Sequence, residues 1–590
     1  MYRRLGSGIA CSLLVLGALQ SEVTPAKASD DADLKLILQR LDKLEKENSA
    51  LRTQIRQIEG KTVATEKRSV QAEKTAKSAE AAMASAPAGV GPVKGRILYV
   101  RECEMYGPGF FYIPGTPGCM KIGGYARLQG ALGASGDGVV NGADFMASPE
   151  GRQTRTDSND ANYQARAAMS LDVRYPTEWG LLRGYVRGGF QNVTPTNSAN
   201  APVVWWDRGY AEFAGFTVGK QRSFFDMFDP VSSYTYGDPR TTGDTDLYGA
   251  IMAGYTARFG NGFSAAIALE DPGAHDRGGV ANMSMSQMFL GALVTNNGLA
   301  GQGGSFTGGT FSSGTLHGFN TPDIIANARL DQAWGYIGAS VAGHKVAAGY
   351  YGGANSTING HPDDKWGYAA SVAGKLYIPG MRGDSIGANF VYSKGAPGYA
   401  TKGNVWQLYG SGNSAAFAWL PDGVYDNVGV ASGGSSIELT TAWSINGVYQ
   451  HIWSPQWMTD VYGGYTSVSF NQHATNMINQ HLPTPPVGST ACGVLVLGTV
   501  QPPLNVGTGA GNSCSPDFSF WQIGTRTQYN PVQWLDLGVD VSYTRLNTAY
   551  AGPNVTLAAN GARPAGSYSI DNQSVLTVLG RVQINFNPGQ

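Results

Sequence analysis

Segments in which apolar and polar residues alternate one by one constrain the fold of this chain of 590 residues more than any other feature. In residues 163–175 every odd position is apolar, and the even positions carry glutamine, arginine, serine and aspartate with one alanine. Residues 180–191 and 574–586 repeat the pattern, with arginine and glutamine confined to one parity. Because successive side chains of a β-strand point to opposite faces, these segments predict two-sided strands.

The composition of the two faces indicates which of them meets water. The apolar faces are rich in glycine and alanine, with aromatic residues near their ends, and the chain contains 81 glycines. Small residues fill a protein core poorly but are tolerated against lipid, where aromatic girdles lie at the interfaces. An arginine on a lipid face costs about 2–4 kcal/mol at the membrane midplane, which explains its confinement to one parity. We therefore favour a membrane β-barrel over the alternatives, a soluble sandwich or a soluble repeat protein.

Chain length limits the number of strands. Residues 120–590 provide 471 positions. With strands of about ten residues joined by alternating short turns and long loops, sixteen strands leave about 29 positions each. Eight strands would require implausibly long loops, and eighteen is the alternative. The predicted fold class is an all-β membrane protein with a 16-stranded antiparallel transmembrane β-barrel.

The first 28 residues are typical of a signal peptide. Arg3 and Arg4 precede an apolar stretch at residues 9–19, and residues 26–28 (AKA) provide a small-residue cleavage site. After this segment no apolar run of about 18 or more residues remains to form a transmembrane helix. The chain is therefore expected to be exported and cleaved after Ala28.

A heptad pattern follows the predicted cleavage site. The seam residues alternate at spacings of three and four: Leu34, Ile37, Leu41, Leu44, Asn48, Leu51, Ile55 and Ile58. This pattern predicts a self-associating α-helical coiled coil, with a lone solvated helix as the alternative. We expect a coiled-coil stalk at residues 29–83, a flexible linker at 84–97, and the barrel at 98–590.

Charge and residue spacing argue against several functions. The chain has 42 Lys and Arg against 43 Asp and Glu, and this near-neutral balance disfavours nucleic-acid binding. Seven histidines are scattered without a catalytic constellation, and no C-x-x-C pair suggests a metal site. We therefore expect neither an enzyme nor a cofactor.

The cysteines that remain after signal cleavage form two pairs of near neighbours in sequence, Cys103 with Cys119 and Cys492 with Cys514. An oxidising compartment favours a disulfide within each pair, but the sequence does not prove the pairing.

A loop at residues 222–247 is richer in acid than its neighbours. Its candidate site residues are Asp226, Asp229, Asp238, Asp244 and Asp246. If the loop folded outward, these carboxylates would be a solvated surface. If it folded inward, as we favour, they would face arginines of the early strands. Those basic candidates are Arg127, Arg166, Arg174, Arg183 and Arg187. Opposed charges across a narrow lumen create a field that filters solutes by charge and size.

Ordered motifs across residues 98–586 resemble the alphaproteobacterial porins, the family of rhizobial and Brucella-type general porins. The resemblance begins with residues 103–119 (CEMYGPGFFYIPGTPGC) and 121–125 (KIGGY). It continues through residues 214–219 (AGFTVG), 223–226 (SFFD), 322–323 (PD), 331–335 (DQAWG), 392–396 (YSKGA), 453–455 (WSP) and 581–586 (RVQINF). Two features depart from the family pattern: residues 587–590 extend past the usual terminal phenylalanine, and residues 30–83 add the coiled coil.

The resemblance implies a trimeric, sixteen-stranded porin of the Gram-negative outer membrane, with its third loop folded into the channel. It also implies a bond between Cys103 and Cys119. Its partners would be outer-membrane lipid and two further copies of the chain, and the stalk would lie in the periplasm, where it could reach the cell wall. The expected function is passive diffusion of small hydrophilic solutes and ions. A substrate-selective channel, and a tether or adhesin using the stalk and long loops, are the alternatives.

If the stalk reinforces the assembly, deleting residues 30–83 should lower the temperature at which trimers dissociate in detergent, because the three-helix contact is lost. Gel mobility after stepwise heating measures this. Equal heat resistance of the full-length and shortened chains would remove the reinforcing role.

Overall fold

The computed structural model describes residues 101–132, 161–194, 203–237, 239–275, 279–283, 321–351, 359–381, 383–402, 405–410, 413–427, 434–480, 514–552, 554–557 and 566–586. The predicted signal peptide, stalk and linker lie outside these ranges, as do Asp238 and Cys492. No helix among the described residues is long and apolar enough to cross a membrane.

Sixteen strands of the described chain form a closed antiparallel barrel, as predicted. In chain order they are β1 (Cys119–Leu132), β2 (Ala161–Thr177), β3 (Gly180–Thr194), β4 (Val203–Phe213), β5 (Phe216–Gln221), β6 (Ala250–Gly260), β7 (Phe263–Glu270), β8 (Asp323–Gln332), β9 (Gly335–Val346), β10 (Lys365–Tyr377), β11 (Ser385–Lys394), β12 (Thr441–Ser454), β13 (Trp457–Ser469), β14 (Phe518–Val532), β15 (Leu535–Asn547) and β16 (Gln573–Phe586). Each strand pairs with the next, and β1 also pairs with β16, from Gly124 opposite Phe586 to Leu132 opposite Val578. This last pairing closes the ring and removes both edges of the sheet.

Tight turns and long connections alternate along the chain. Between β4 and β5 only Ala214 and Gly215 form the turn, and both have positive φ, 50° and 90°. Two consecutive positive φ values are typical of a type I′ hairpin turn, whose twist matches that of the flanking strands. At the opposite end of the barrel, residues 222–249 connect β5 to β6. We call this third long connection the third loop.

The apolar parity of the strands points away from the barrel axis. Leu128, Val186 and Ile445 are 56%, 51% and 48% exposed. On the opposite parity, Gln129 and Asp540 are each 1% exposed. The exposed band is the face that the sequence predicts to meet lipid, and the face with arginine and glutamine points inward.

A β-bulge between β3 and β4 interrupts the alternation. Arg187 lies opposite Arg208, whereas Gly188 lies opposite Trp206, so Asp207 is the extra residue on β4. Asp207 is 4% exposed and Arg208 is 7% exposed. The bulge therefore turns two consecutive charged side chains away from the lipid-facing surface, which strict alternation does not permit.

The segment before β1 folds back on the barrel wall. Residues 110–112 pair with residues 119–121 at the start of β1. A disulfide joins Cys103 to Cys119, which confirms the pairing that the family resemblance implied. We call residues 101–119 the amino-terminal hairpin. Cys514 is also disulfide-bonded, and its expected partner lies outside the described residues.

Short elements occupy the amino-terminal hairpin and the long connections. The strands are Phe110–Tyr112, Val280–Asn282, Val405–Gly410, Ser414–Trp419, Gly423–Tyr425, Glu438–Leu439, Asn554–Leu557 and Gly566–Ile570; the helices are Glu104–Tyr106, Val231–Ser233, Pro272–Ala274, Pro397–Tyr399 and Gln472–Gln480. Trp419, Phe470 and Tyr568 belong to one buried hydrophobic cluster that also contains Phe225 of the third loop. The connections thus pack against one another as well as against the barrel.

An arginine introduced at Val186, near the middle of β3 on the outward face, should destabilise the barrel in a bilayer by about 2–4 kcal/mol. Leu132→Arg is the matched control, because Leu132 is similarly exposed but ends β1, where the cost falls to about 0–1 kcal/mol. Reversible urea unfolding in lipid vesicles measures both variants. Equal destabilisation would contradict the assignment of the outward face to hydrocarbon.

Candidate functional site

The third loop begins with a set of hydrogen bonds to β7. The hydroxyl of Ser223 donates to a carboxylate oxygen of Glu270 at 2.6 Å, and the backbone N–H of Phe224 donates to its other oxygen at 2.8 Å. The Glu270 side chain, at the end of β7, is buried. These bonds hold the first residues of the loop along the inner surface of the strands that come after it in sequence.

A salt-bridge clasp joins the two ends of the third loop. The guanidinium of Arg222 binds Asp244 and lies 4.0 Å from Asp226. Asp226 also accepts hydrogen bonds from the backbone N–H of Thr245, at 2.9 Å, and from its hydroxyl, at 2.5 Å. Burial raises the pKa of both Asp226 and Asp244 despite the nearby arginine. Two of the predicted acids therefore hold the loop together.

Asp229 attaches the outgoing arm of the loop to the wall. Its carboxylate accepts hydrogen bonds from Lys375 on β10 at 2.8 Å and from Tyr336 on β9 at 2.6 Å. Tyr234 of the loop donates a third, at 2.5 Å. Burial alone would raise the pKa of Asp229, but these three donors outweigh burial and hold that pKa below its ordinary value.

The middle of the loop is bound to the strands that close the barrel. Asp540 on β15 accepts from the hydroxyl of Thr235 and from the backbone N–H of Tyr236, both at 2.6 Å. The Tyr236 hydroxyl donates to Asp536 at 2.9 Å, and the guanidinium of Arg581 on β16 donates to the Tyr236 carbonyl at 3.2 Å. The Arg581 guanidinium also lies 3.9 Å from the centre of the Tyr236 ring. These partners are 300 to 345 residues from the loop residues that they bind.

The returning arm makes its own contacts. Asn446 on β12 donates to the Thr241 carbonyl at 2.8 Å, and the hydroxyl of Thr401 donates to the Arg240 carbonyl at 2.5 Å. With the contacts above, the third loop is hydrogen-bonded to inward-facing side chains of β7, β9, β10, β12, β15 and β16. The loop starts and ends on β5 and β6, so these bonds reach around most of the ring.

The five predicted arginines lie on the inward parity of β1, β2 and β3, and they bind side chains of the barrel wall. Arg127 donates to Gln583 at 2.7 Å, and Arg166 donates to Gln191 at 2.8 Å. Arg174 and Arg183 share Asp172, with Arg183 also 3.0 Å from Glu212. Arg187 forms a bidentate pair with Asp207.

Asp246 is the predicted acid that meets the basic wall. Its carboxylate lies 3.1 Å from the guanidinium of Arg208 on β4. Burial alone would raise the pKa of Asp246, but a hydrogen bond from Ser232 and the nearby arginines hold it below its ordinary value. The structure therefore joins Asp246 to the basic wall through Arg208, and it pairs Asp226 and Asp244 with Arg222 and Asp229 with Lys375. Sequence reasoning singled out none of these three cations.

Three of the important partners were missed from the sequence. Arg208 and Asp207 lie at the bulge, where the parity rule fails, so alternation gave no signal for them. Lys375 lies 146 residues from Asp229 in sequence, and the feature that could have identified it is its inward position on β10.

Among the described residues, no group of three or more His, Cys, Asp or Glu side chains is arranged to hold a metal ion.

In the Lys375→Met variant, the third loop should lose its attachment to the wall at a higher pH than in the unaltered protein. Asp229 has a depressed pKa, so its ionised contact is present above the ordinary carboxyl range and is lost as pH falls through the lower folded value. Removing Lys375 raises the pKa of Asp229, so the ionised contact is lost at a higher pH. Current noise recorded across the barrel at stepped pH measures the loosening. Lys365→Met on the same strand is the control, and identical profiles for both variants would contradict the anchoring role of Lys375.

Comparison with known proteins identifies relatives for most of the barrel. A family model described as Porin subfamily matches residues 91–579. Porin Omp2b of Brucella suis is 29% identical over 265 residues, which are 44% of this chain and 60% of that protein. Porin Omp2b of Brucella abortus (strain 2308) is 32% identical over 202 residues, 33% of this chain and 51% of that protein. The matched region thus spans between about half and three-fifths of these curated relatives.

A solved structure resembles the barrel at low sequence identity. The outer membrane channel DcaP of Acinetobacter baumannii is 13% identical, with a TM-score of 0.46, and the match covers 80% of this chain and 97% of that protein.

Proposed function

This chain belongs to the porin subfamily, and on that premise we propose that it forms a water-filled channel for passive diffusion of small hydrophilic solutes and ions across a Gram-negative outer membrane. The closed ring supports this proposal, because sixteen strands are enough to enclose an aqueous lumen. The inward parity of arginine, glutamine and aspartate provides a polar lining for that lumen.

The observation that carries the proposal is the attachment of the third loop to inward-facing side chains around the ring. A loop bound to Asp540 on one side and to Lys375 on another narrows the passage between them. Both arms carry charged side chains, and Arg127, Arg166 and Arg187 line the wall of β1 to β3. We propose that solutes pass through this charged constriction, which selects them by size and charge.

The trimer and its lipid environment are proposed from the family, and the stalk is proposed from the heptad pattern. A homotrimer embedded in outer-membrane lipid fits the apolar outward band, since lipid and neighbouring copies would cover that surface. The coiled-coil stalk expected at residues 29–83 would lie in the periplasm and could contact the cell wall. The channel needs no cofactor or catalytic group for passive diffusion.

Planar-bilayer recording tests the channel function. Purified full-length protein should produce stable conductance steps, in groups of three if it inserts as a trimer. A folded barrel that inserts without conductance would contradict the proposal and favour the tether or adhesin.

The same recordings test the basic wall. Replacing Arg166, Arg183 and Arg187 by glutamine should shift the reversal potential in a salt gradient toward cation preference, because three positive charges leave the lumen. Arg545→Gln is the control, since Arg545 lies on the outward parity of β15. An unchanged reversal potential in the triple variant would contradict the placement of these arginines along the conducting path.

A further inference from the structure

A cavity of ≈ 390 Å³ opens on the barrel wall between the third loop and the amino-terminal hairpin. We propose that this cavity is a binding subsite for small organic anions that carry two or more negative charges on carboxylate or phosphate groups. The inference rests on the proposed channel function, because the ligand would reach the cavity through the lumen. It adds the class of solute that the channel binds and the position in the channel where that solute is bound.

The charged side chains of the cavity are mainly cationic. One lysine and four arginines line it: Lys121, Arg174, Arg183, Arg187 and Arg208. Two carboxylates, Asp172 and Asp246, line it with them. Asp207 and Glu212, which bind Arg187 and Arg183, bring the count to five positive charges against four negative ones, and this net positive charge favours an anion over a neutral solute or a cation.

Asp172 and Asp207 are more deeply buried than the arginines that they bind. The side chain of Asp172 is 6% exposed, whereas those of Arg174 and Arg183 are 23% and 24% exposed. The side chain of Arg187 is 33% exposed, whereas the side chain of its partner Asp207 is 6% exposed. An anion entering the cavity therefore meets guanidinium groups first, while the acids behind them fix their orientation. Each guanidinium has five N–H donors, and Arg183 uses three of them on Asp172 and Glu212, so two remain for an anion.

The spacing of two arginines suits a ligand with more than one negative charge. Arg174 and Arg183 lie directly opposite each other on β2 and β3. Directly opposed residues have Cβ atoms about 4.5–5.5 Å apart, so the two guanidiniums are close enough for one polyanion to contact both. Asp172 holds both of them, at 2.8 Å and 3.0 Å, which keeps them side by side before any ligand arrives.

Aromatic rings form the remaining walls and restrict the arginines further. The Arg174 guanidinium lies 4.6 Å from the centre of the Phe110 ring in the amino-terminal hairpin. The Arg183 guanidinium lies 5.3 Å from Tyr185 and 5.6 Å from Tyr210. Cation–π contacts hold guanidinium planes against the rings, so their N–H edges stay available to a ligand. Preorganised donors of this kind bind an anion without the entropy loss of ordering long side chains.

Current block in planar bilayers tests the inference with full-length protein. The probes are citrate and glucose 6-phosphate, with glucose as the neutral reference. We expect at least one of the two anions to interrupt the current in a saturable manner, whereas glucose at the same concentration does not. The probe that blocks distinguishes carboxylate from phosphate chemistry.

Arg183→Gln is the main variant, because Asp172 keeps Arg174 as its partner and is not left as an uncompensated buried charge. Losing one charge-assisted contact should raise the half-blocking concentration of the anion about tenfold or more. Arg174→Gln is the second variant, in which Asp172 keeps Arg183, and it should have a similar effect if the first fails to fold. Arg258→Gln removes the same charge from the inward parity of β6, outside the cavity, and should leave the half-blocking concentration within about twofold of the unaltered value.

The outcomes separate the two proposals. A protein that inserts and conducts, but is blocked by neither anion, would overturn the subsite and leave the channel intact. Block that is equally weakened by Arg258→Gln would also overturn it, because the general field of the lumen would then account for the effect. Absence of conductance in the unaltered protein would overturn the channel function itself.

Discussion

The structure depends on one pairing, that of β1 with β16. Hydrocarbon offers no partner to a backbone N–H or C=O, so a sheet can span a membrane only when it has no open edge. The register from Gly124–Phe586 to Leu132–Val578 supplies the missing bonds for both terminal strands. Closure also creates an enclosed polar surface, because the parity that avoids lipid must face the interior. The outward band and the lumen are therefore two consequences of the same ring.

The lumen is organised by local neutralisation of charge. Arg183 meets Asp172 and Glu212, Arg222 meets Asp226 and Asp244, and Lys375 meets Asp229. Several of these groups are largely removed from water, and an unpaired charge would be costly there. The pairs attach the third loop to the wall at fixed points. They also leave partly exposed guanidiniums where a solute can contact them, above all in the cavity beside the amino-terminal hairpin.

Much of the barrel could be predicted from residue patterns, whereas little of the site's pairing could. Alternation in residues 163–175 identified β2 and its inward arginines, because the period of a strand is visible in adjacent residues. The contacts of the third loop are different, since Tyr236 and Asp540 are 304 positions apart. The bulge at Asp207 also escaped prediction, because one extra residue shifts parity without a distinctive local composition.

The sequence by itself determined the two-sided strands, the face that meets lipid, the acidic character of the third loop and the pairing expected for Cys103 and Cys119. These properties depend on alternation, composition and family motifs, all of which can be read along the chain. Only the tertiary structure decided which charges are partners: Asp229 with Lys375, Asp246 with Arg208, and Asp172 with both Arg174 and Arg183. Ring closure brings distant strands and the loop within a few ångströms of one another, and electrostatic pairing depends on that distance rather than on separation in sequence.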